Sequence, residues 1–143
     1  MARAQAGRLA GTWVALLSNS TLNMTDRTDR IQNMTYRKMD GKIIANNKAD
    51  LFDGSLVING QIDLDEFGRA RAPSGWSRVW TGTSFDGKIL AGRTEYCSNW
   101  QSNSTSASIA GRHGHYTQAG MQWISGGTMF CNNNYPLYCM RVT

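Results

Sequence analysis

The 143-residue sequence has no apolar run close to the roughly 20 residues that a membrane-spanning helix needs; the longest clean one is Trp13 to Leu17. The opening Met1-Ala2-Arg3-Ala4-Gln5 is followed by neither an apolar segment nor a small-residue cleavage site, so no secretory leader is read there. Glutamate occurs only at Glu66 and Glu95, and histidine only at His113 and His115. These scarcities remove whole classes of chemistry. Glycoside hydrolysis by paired carboxylates needs two acids in one cleft, whereas the aspartates here occupy turn positions. A serine nucleophile needs a histidine beside it that an acid orients, and the two histidines merely flank Gly114 in a polar stretch with no nucleophile elbow. No phosphate-binding loop or dinucleotide fingerprint follows a strand. The chain is therefore expected not to be an enzyme.

Charge is equally thin. Charged residues make up 17% of the chain, with 15 basic against 10 acidic and a formal net charge of +5. The basic residues are scattered from Arg3 to Arg141 in runs no longer than two, which reads as a solvated basic surface rather than a stripe that tracks phosphates. Nucleic acid is thus not an expected partner. No C-x-x-C pair is present, the histidines are not at zinc-finger spacing, and neither Asp63-Leu64-Asp65-Glu66 nor Asp50 with Asp53 follows a calcium-loop pattern. No metal or other cofactor is expected, with a structural calcium left open. The three cysteines, Cys97, Cys131 and Cys139, lie in the last third, and their odd number suggests one disulfide plus a thiol whose partner is missing or in another chain.

Apolar residues make up 41%, and five Trp, five Tyr and four Phe supply enough apolar area for one core. The expectation is one domain over 1–143. Residues 2–10 have the composition of a helix end. Thr12 to Leu17 reads as a buried strand, and residues 23–47 as polar and turn-rich around short pieces at Ile31 and Lys42–Ala45. Asn47–Gly54 reads as a short helix with Asn46 or Asn47 as its cap. Leu56-Val57-Ile58-Asn59-Gly60 reads as a short extended piece ending in a turn pair. Aromatic-rich short strands follow from Trp76 to Trp100, separated by D-G and T-G turns. Residues 101–120 read as a long loop, and Met129–Cys131 and Leu137–Val142 as two closing strands joined in a hairpin at Asn132–Pro136. This is an α+β reading, a small twisted antiparallel sheet with one or two short helices and long loops.

The ordered series G-T-W-V-A-L-L-S (11–18), N-N-K-A-D-L-F-D-G (46–54), V-W-T-G-T (79–83), Y-C-S-N-W (96–100), the loop with Gly111 and Trp123, and F-C-N-N-N-Y-P-L-Y-C (130–139) resembles bacterial surface domains related to collagen endostatin. These belong to the wider C-type lectin-like fold, and the likeness covers essentially the whole chain. The resemblance implies a disulfide between Cys97 and Cys131. It matches Cys139 to a last cysteine whose partner belongs just upstream of Ala2, as if the first helix of a longer secreted chain had been cut. It also implies an extracellular or cell-surface location and a bacterial source. The Glu-Pro-Asn or Gln-Pro-Asp and Trp-Asn-Asp triplets of calcium-dependent sugar-binding lectins are absent.

Binding is the class that is left. Amphipathic aromatic and amide side chains on rigid loops are what recognition surfaces use. Asn99, Trp100, Arg112, His113, His115, Tyr116, Trp123, Asn132, Asn133, Asn134 and Tyr135 are the expected ligand contacts, with core burial as the competing role for Trp100 and Trp123. The expected function is an adhesive or receptor module for a glycan or protein on another cell or surface, multivalent through its parent chain as a homotrimer or another assembly. The alternative is an endostatin-like matrix module that holds anionic polysaccharide by its positive charge.

Overall fold

The computed structural model describes residues 9–73 and 77–143. The helix end expected over residues 2–10 falls mainly outside them, as does Trp76. The described chain is α+β: short antiparallel sheets, little helix and long connections.

Three strands carry the centre. Strands β4 (Arg78–Trp80), β5 (Ala110–His115) and β6 (Gly127–Phe130) form an antiparallel sheet with β5 in the middle. Strands β1 (Trp13–Ala15) and β7 (Cys139–Arg141) pair with each other, as do β2 (Tyr36–Arg37) and β3 (Ile43–Ala45). A parallel bridge between Trp80 and Leu137 ties the segment entering β7 to β4. The expected helix after Asn46 is present as α1 (Lys48–Leu51). Asn47 caps it by accepting from the Asp50 N–H, and Gly54 turns the chain away at a φ of +104°.

Four local expectations change. Residues 110–115 are not loop but the central strand. The glycines that suggested a loop are there because the strand is crowded: a Cβ on Gly111 would stand 2.7 Å from both Cys97 Sγ and the Trp80 ring. The closing hairpin does not form. Residues 127–130 pair with β5 and residues 139–141 with β1, so Asn132–Pro136 crosses between two sheets instead of turning back. Met24–Ile31 is a 3-10 helix, whose capping box joins Asn23 and Asp26. The piece from Leu56 forms no strand: the expected turn already begins at Val57, whose carbonyl accepts the Gly60 N–H at 2.8 Å, and it leaves Ile58 90% exposed.

The principal core joins Leu16, Met24, Ile44, Leu51, Val79, Trp123, Ile124 and Tyr138 between the sheets. A second cluster, Trp80 with Cys97 and Cys131, packs on the other face of the central sheet with Leu17, Trp100, Met129 and Tyr135 against it. Cys97 and Cys131 are joined by a disulfide across a sequence separation of 34. Such bonds persist in oxidising compartments, so the chain fits an extracellular type of environment. No helix among the described residues is long and apolar enough to cross a membrane.

Candidate functional site

In a strand, alternate side chains point to opposite faces. The register places Arg78 opposite His115 and Trp80 opposite His113, so these four side chains share one face of the central sheet. The chain that leaves β6 then lays Tyr135 across them. Its ring lies 4.7 Å from Trp80 and 6.2 Å from His113, centroid to centroid, and its hydroxyl accepts from Arg78 Nη1 at 3.2 Å. His113 and His115 meet edge to face at 5.1 Å. A Cβ on Gly126 would stand 2.4 Å from the His115 ring, so glycine at that position makes room for it.

The segment carrying Tyr135 is held by the sheet beneath. Trp80 Nε1 donates to the Asn133 carbonyl at 3.3 Å, and the Trp80 N–H to the Pro136 carbonyl at 3.1 Å. The Asn133 amide closes the turn by donating to the Phe130 carbonyl at 2.8 Å. Asn132 and Asn134 are exposed on either side. With Cys131 covalently fixed at its start and Pro136 bonded to Trp80 at its end, the crossing is tied to the sheet on both sides.

Behind it, Cys97, Ser98, Asn99 and Trp100 all have φ between +50° and +64°, a single turn of left-handed helix. L-residues resist that conformation, and here each end is anchored. Cys97 is in the disulfide, Asn99 Oδ1 accepts the Ser20 N–H at 2.9 Å, and Trp100 Nε1 donates to the Ser18 carbonyl at 2.8 Å.

The expected contact residues therefore divide. His113, His115, Asn133, Asn134 and Tyr135 come together on one face, with Asn132 beside them and Trp100 behind Trp80 at 5.7 Å. Four others do not join them. Trp123 is fully buried in the principal core, and so is Tyr116, whose hydroxyl donates to the Ala72 carbonyl. Neither presents its ring to a ligand. Arg112 points to the opposite face, where its Nε donates to Glu95 Oε2 at 2.6 Å. Asn99 is exposed but spends its side-chain oxygen on Ser20. Sequence reasoning missed Arg78 and Trp80 as members of the cluster. The signal was the run R-V-W directly before T-G-T, in which alternation puts both on the face opposite Val79.

His113 is 3% exposed and its pKa falls to about 4, first because burial disfavours the charged ring and then because Arg78, His115 and Arg112 repel a further cation. The unfolded imidazole titrates near 6.5. The unfolded chain therefore takes up this proton first, and stability is expected to fall as pH drops from about 6.5 toward 4, with the loss complete below that. It should amount to on the order of 2 kcal/mol. Urea unfolding at pH 7 and pH 4.5 checks this: His113→Gln should flatten the slope between the two, and an unchanged slope would assign the acid sensitivity elsewhere.

Among the described residues no group of three or more His, Cys, Asp or Glu is placed to hold a metal ion. No protein-family model matches the chain, and no curated protein matches it.

Proposed function

We propose that this chain is an extracellular recognition module of the C-type lectin-like, endostatin-related kind, which binds a glycan or protein displayed on another cell or surface through the Arg78, His115 and Tyr135 face of its central sheet. One observation carries the reading: the half-buried Tyr135 ring, the Arg78 guanidinium that it accepts from, and His115 opposite Arg78 in the register share a disulfide-anchored frame, with exposed amides at Asn132 and Asn134 beside them. Such a surface offers a flat apolar contact together with donors and acceptors for hydroxyls or peptide groups, which is what small recognition patches use. Display in several copies on a parent chain would make a weak single site effective.

The polysaccharide alternative depends on diffuse positive charge, and much of that charge is locally matched. Lys38, Lys42, Lys48, Arg69, Arg93 and Arg112 each lie against a carboxylate. That favours the shaped face over bulk charge. Binding to a glycan array and to whole cells is the test. Tyr135→Ala is expected to weaken it at least tenfold while Cys139→Ser leaves it unchanged, and retention should survive physiological salt. A folded protein that binds no surface, or a Tyr135→Ala variant that binds as the parent does, would remove this face from consideration.

A further inference from the structure

Away from that face, between the β1–β7 pair and the β2–β3 hairpin, lies a cavity of about 410 Å³. Its walls are apolar: Trp13, Leu16, Ile31, Ile44, Ile62 and Met140. Two methionines at its edge, Met34 and Met39, are 60% and 46% exposed. Sites for small organic ligands have volumes of about 300 to 1,000 Å³, with a mostly apolar lining and a few placed polar groups. Methionine suits such a rim because its unbranched, polarizable chain adapts to whatever it covers.

The charged side chains here are of one sign. Arg37, Lys38 and Arg141 line the cavity, and no acidic side chain does. Lys38 is spent: its side chain is 6% exposed and its ammonium pairs with Asp63 at 2.9 Å. The two arginines are exposed: Arg37 Nη1 donates to the Gly41 carbonyl at 2.9 Å, and Arg141 Nε to a main-chain oxygen of Thr143, the last residue of the sequence. Neither has an Asp or Glu side-chain partner among the described residues. Arg37, bonded to a neutral peptide carbonyl, keeps its charge and has further N–H groups to give, in the fork that fits a carboxylate.

We infer that this cavity is a binding site for a small amphipathic anion, specifically an unbranched medium-chain fatty acid. Its alkyl chain lies among the apolar walls and its carboxylate at Arg37. The inference is independent of the recognition face, since the cavity shares no residue with it.

The test uses the whole chain with ¹³C-methyl methionine, titrated with decanoate below its micelle concentration. The Met34, Met39 and Met140 methyls should shift and saturate. Met121 and Met129, which do not line the cavity, should hold still and so report that the fold is intact. Binding should tighten about three- to fourfold per added methylene from octanoate to decanoate. Decanol should bind at least tenfold more weakly than decanoate, and Arg37→Gln should erase that preference. No shift of the three methyls overturns the site, and equal binding of decanol to the parent protein overturns the anion. Shifts produced only by phosphatidylglycerol vesicles and not by decanoate overturn the free acid in favour of a lipid surface.

Discussion

Replacing Cys97 and Cys131 together by serine is expected to lower the free energy of unfolding by about 3 to 4 kcal/mol, which is the loop-closure entropy of a crosslink spanning 34 residues. For a chain of 143 residues this corresponds to a fall in melting temperature on the order of 10 °C. The effect should not be purely entropic. The left-handed turn from Cys97 to Trp100 carries four L-residues at positive φ, a conformation that costs roughly 1 to 2 kcal/mol each. Only fixed neighbours keep it there. With the bridge gone, the turn is held by the Asn99 and Trp100 contacts to Ser20 and Ser18 alone, and Tyr135 loses the covalent anchor four residues before it. Reduced protein should therefore also lose binding at the sheet face before it unfolds globally. Denaturant unfolding of the double variant, and of the parent with and without a dithiol, measures the first effect. Cys139→Ser is the control, because that thiol is free and its residue exposed, and it should stay within about 0.5 kcal/mol of the parent. A double-serine variant as stable as the parent would mean that the oxidised and reduced chains share one unfolded ensemble.

How far this arrangement could be read in advance depended on how local its causes were. The cap at Asn47 with its stop at Gly54 is written within eight residues, because a side-chain oxygen meets an N–H three positions on, and it was legible. So were the D-G and T-G turns around Gly87 and Gly82, both at positive φ. The disulfide pairing was legible only through the resemblance, since three cysteines admit three pairings. Strand β5 was not legible. Its Gly111 and Gly114, small and polar by composition, mark close approach to Trp80 and Trp123, partners more than eight residues away in sequence. The pairing of Met129–Phe130 was missed for a related reason. Two short apolar runs joined by N-N-N-Y-P fit a hairpin locally, but the hydrogen bonds of β6 go to β5 and those of β7 to β1. Of the residues gathered on the proposed recognition face, those on the crossing were singled out by their amide and aromatic character. Arg78 and Trp80 were missed because only the register brings them beneath Tyr135.

Gly114→Ala is the sharpest test of that register, with an expected cost at or above the ~3 kcal/mol upper end of ordinary overpacking. A Cβ at this position would stand 2.0 Å from the Trp123 carbonyl oxygen, 2.6 Å from its carbon and 3.0 Å from Ile124 Cα. All three are backbone atoms, so no side chain can swing aside to make room. The carbonyl in the way is also in use: it accepts the buried Tyr138 hydroxyl at 2.9 Å, while the next carbonyl, that of Ile124, accepts Thr81 Oγ1 at 2.7 Å. Relieving the clash means moving either β5 off the 3-10 turn at Met121–Trp123 or that turn off Tyr138 and Thr81. Either movement leaves a buried hydroxyl poorly paired. Gly120 supplies the comparison. Its added Cβ would meet nothing within 4 Å and its φ is −76°, so Gly120→Ala should be neutral or mildly stabilising through the unfolded chain. Thermal melts of the two variants side by side separate the cases. The same substitution should reach the recognition face, because Gly114 lies between His113 and His115, and a strand displaced there carries both rings away from Tyr135. Loss of binding at a temperature where the Gly114→Ala protein is still folded is the expected result, whereas parental stability and binding would mean that β5 is not seated against Trp123 at all.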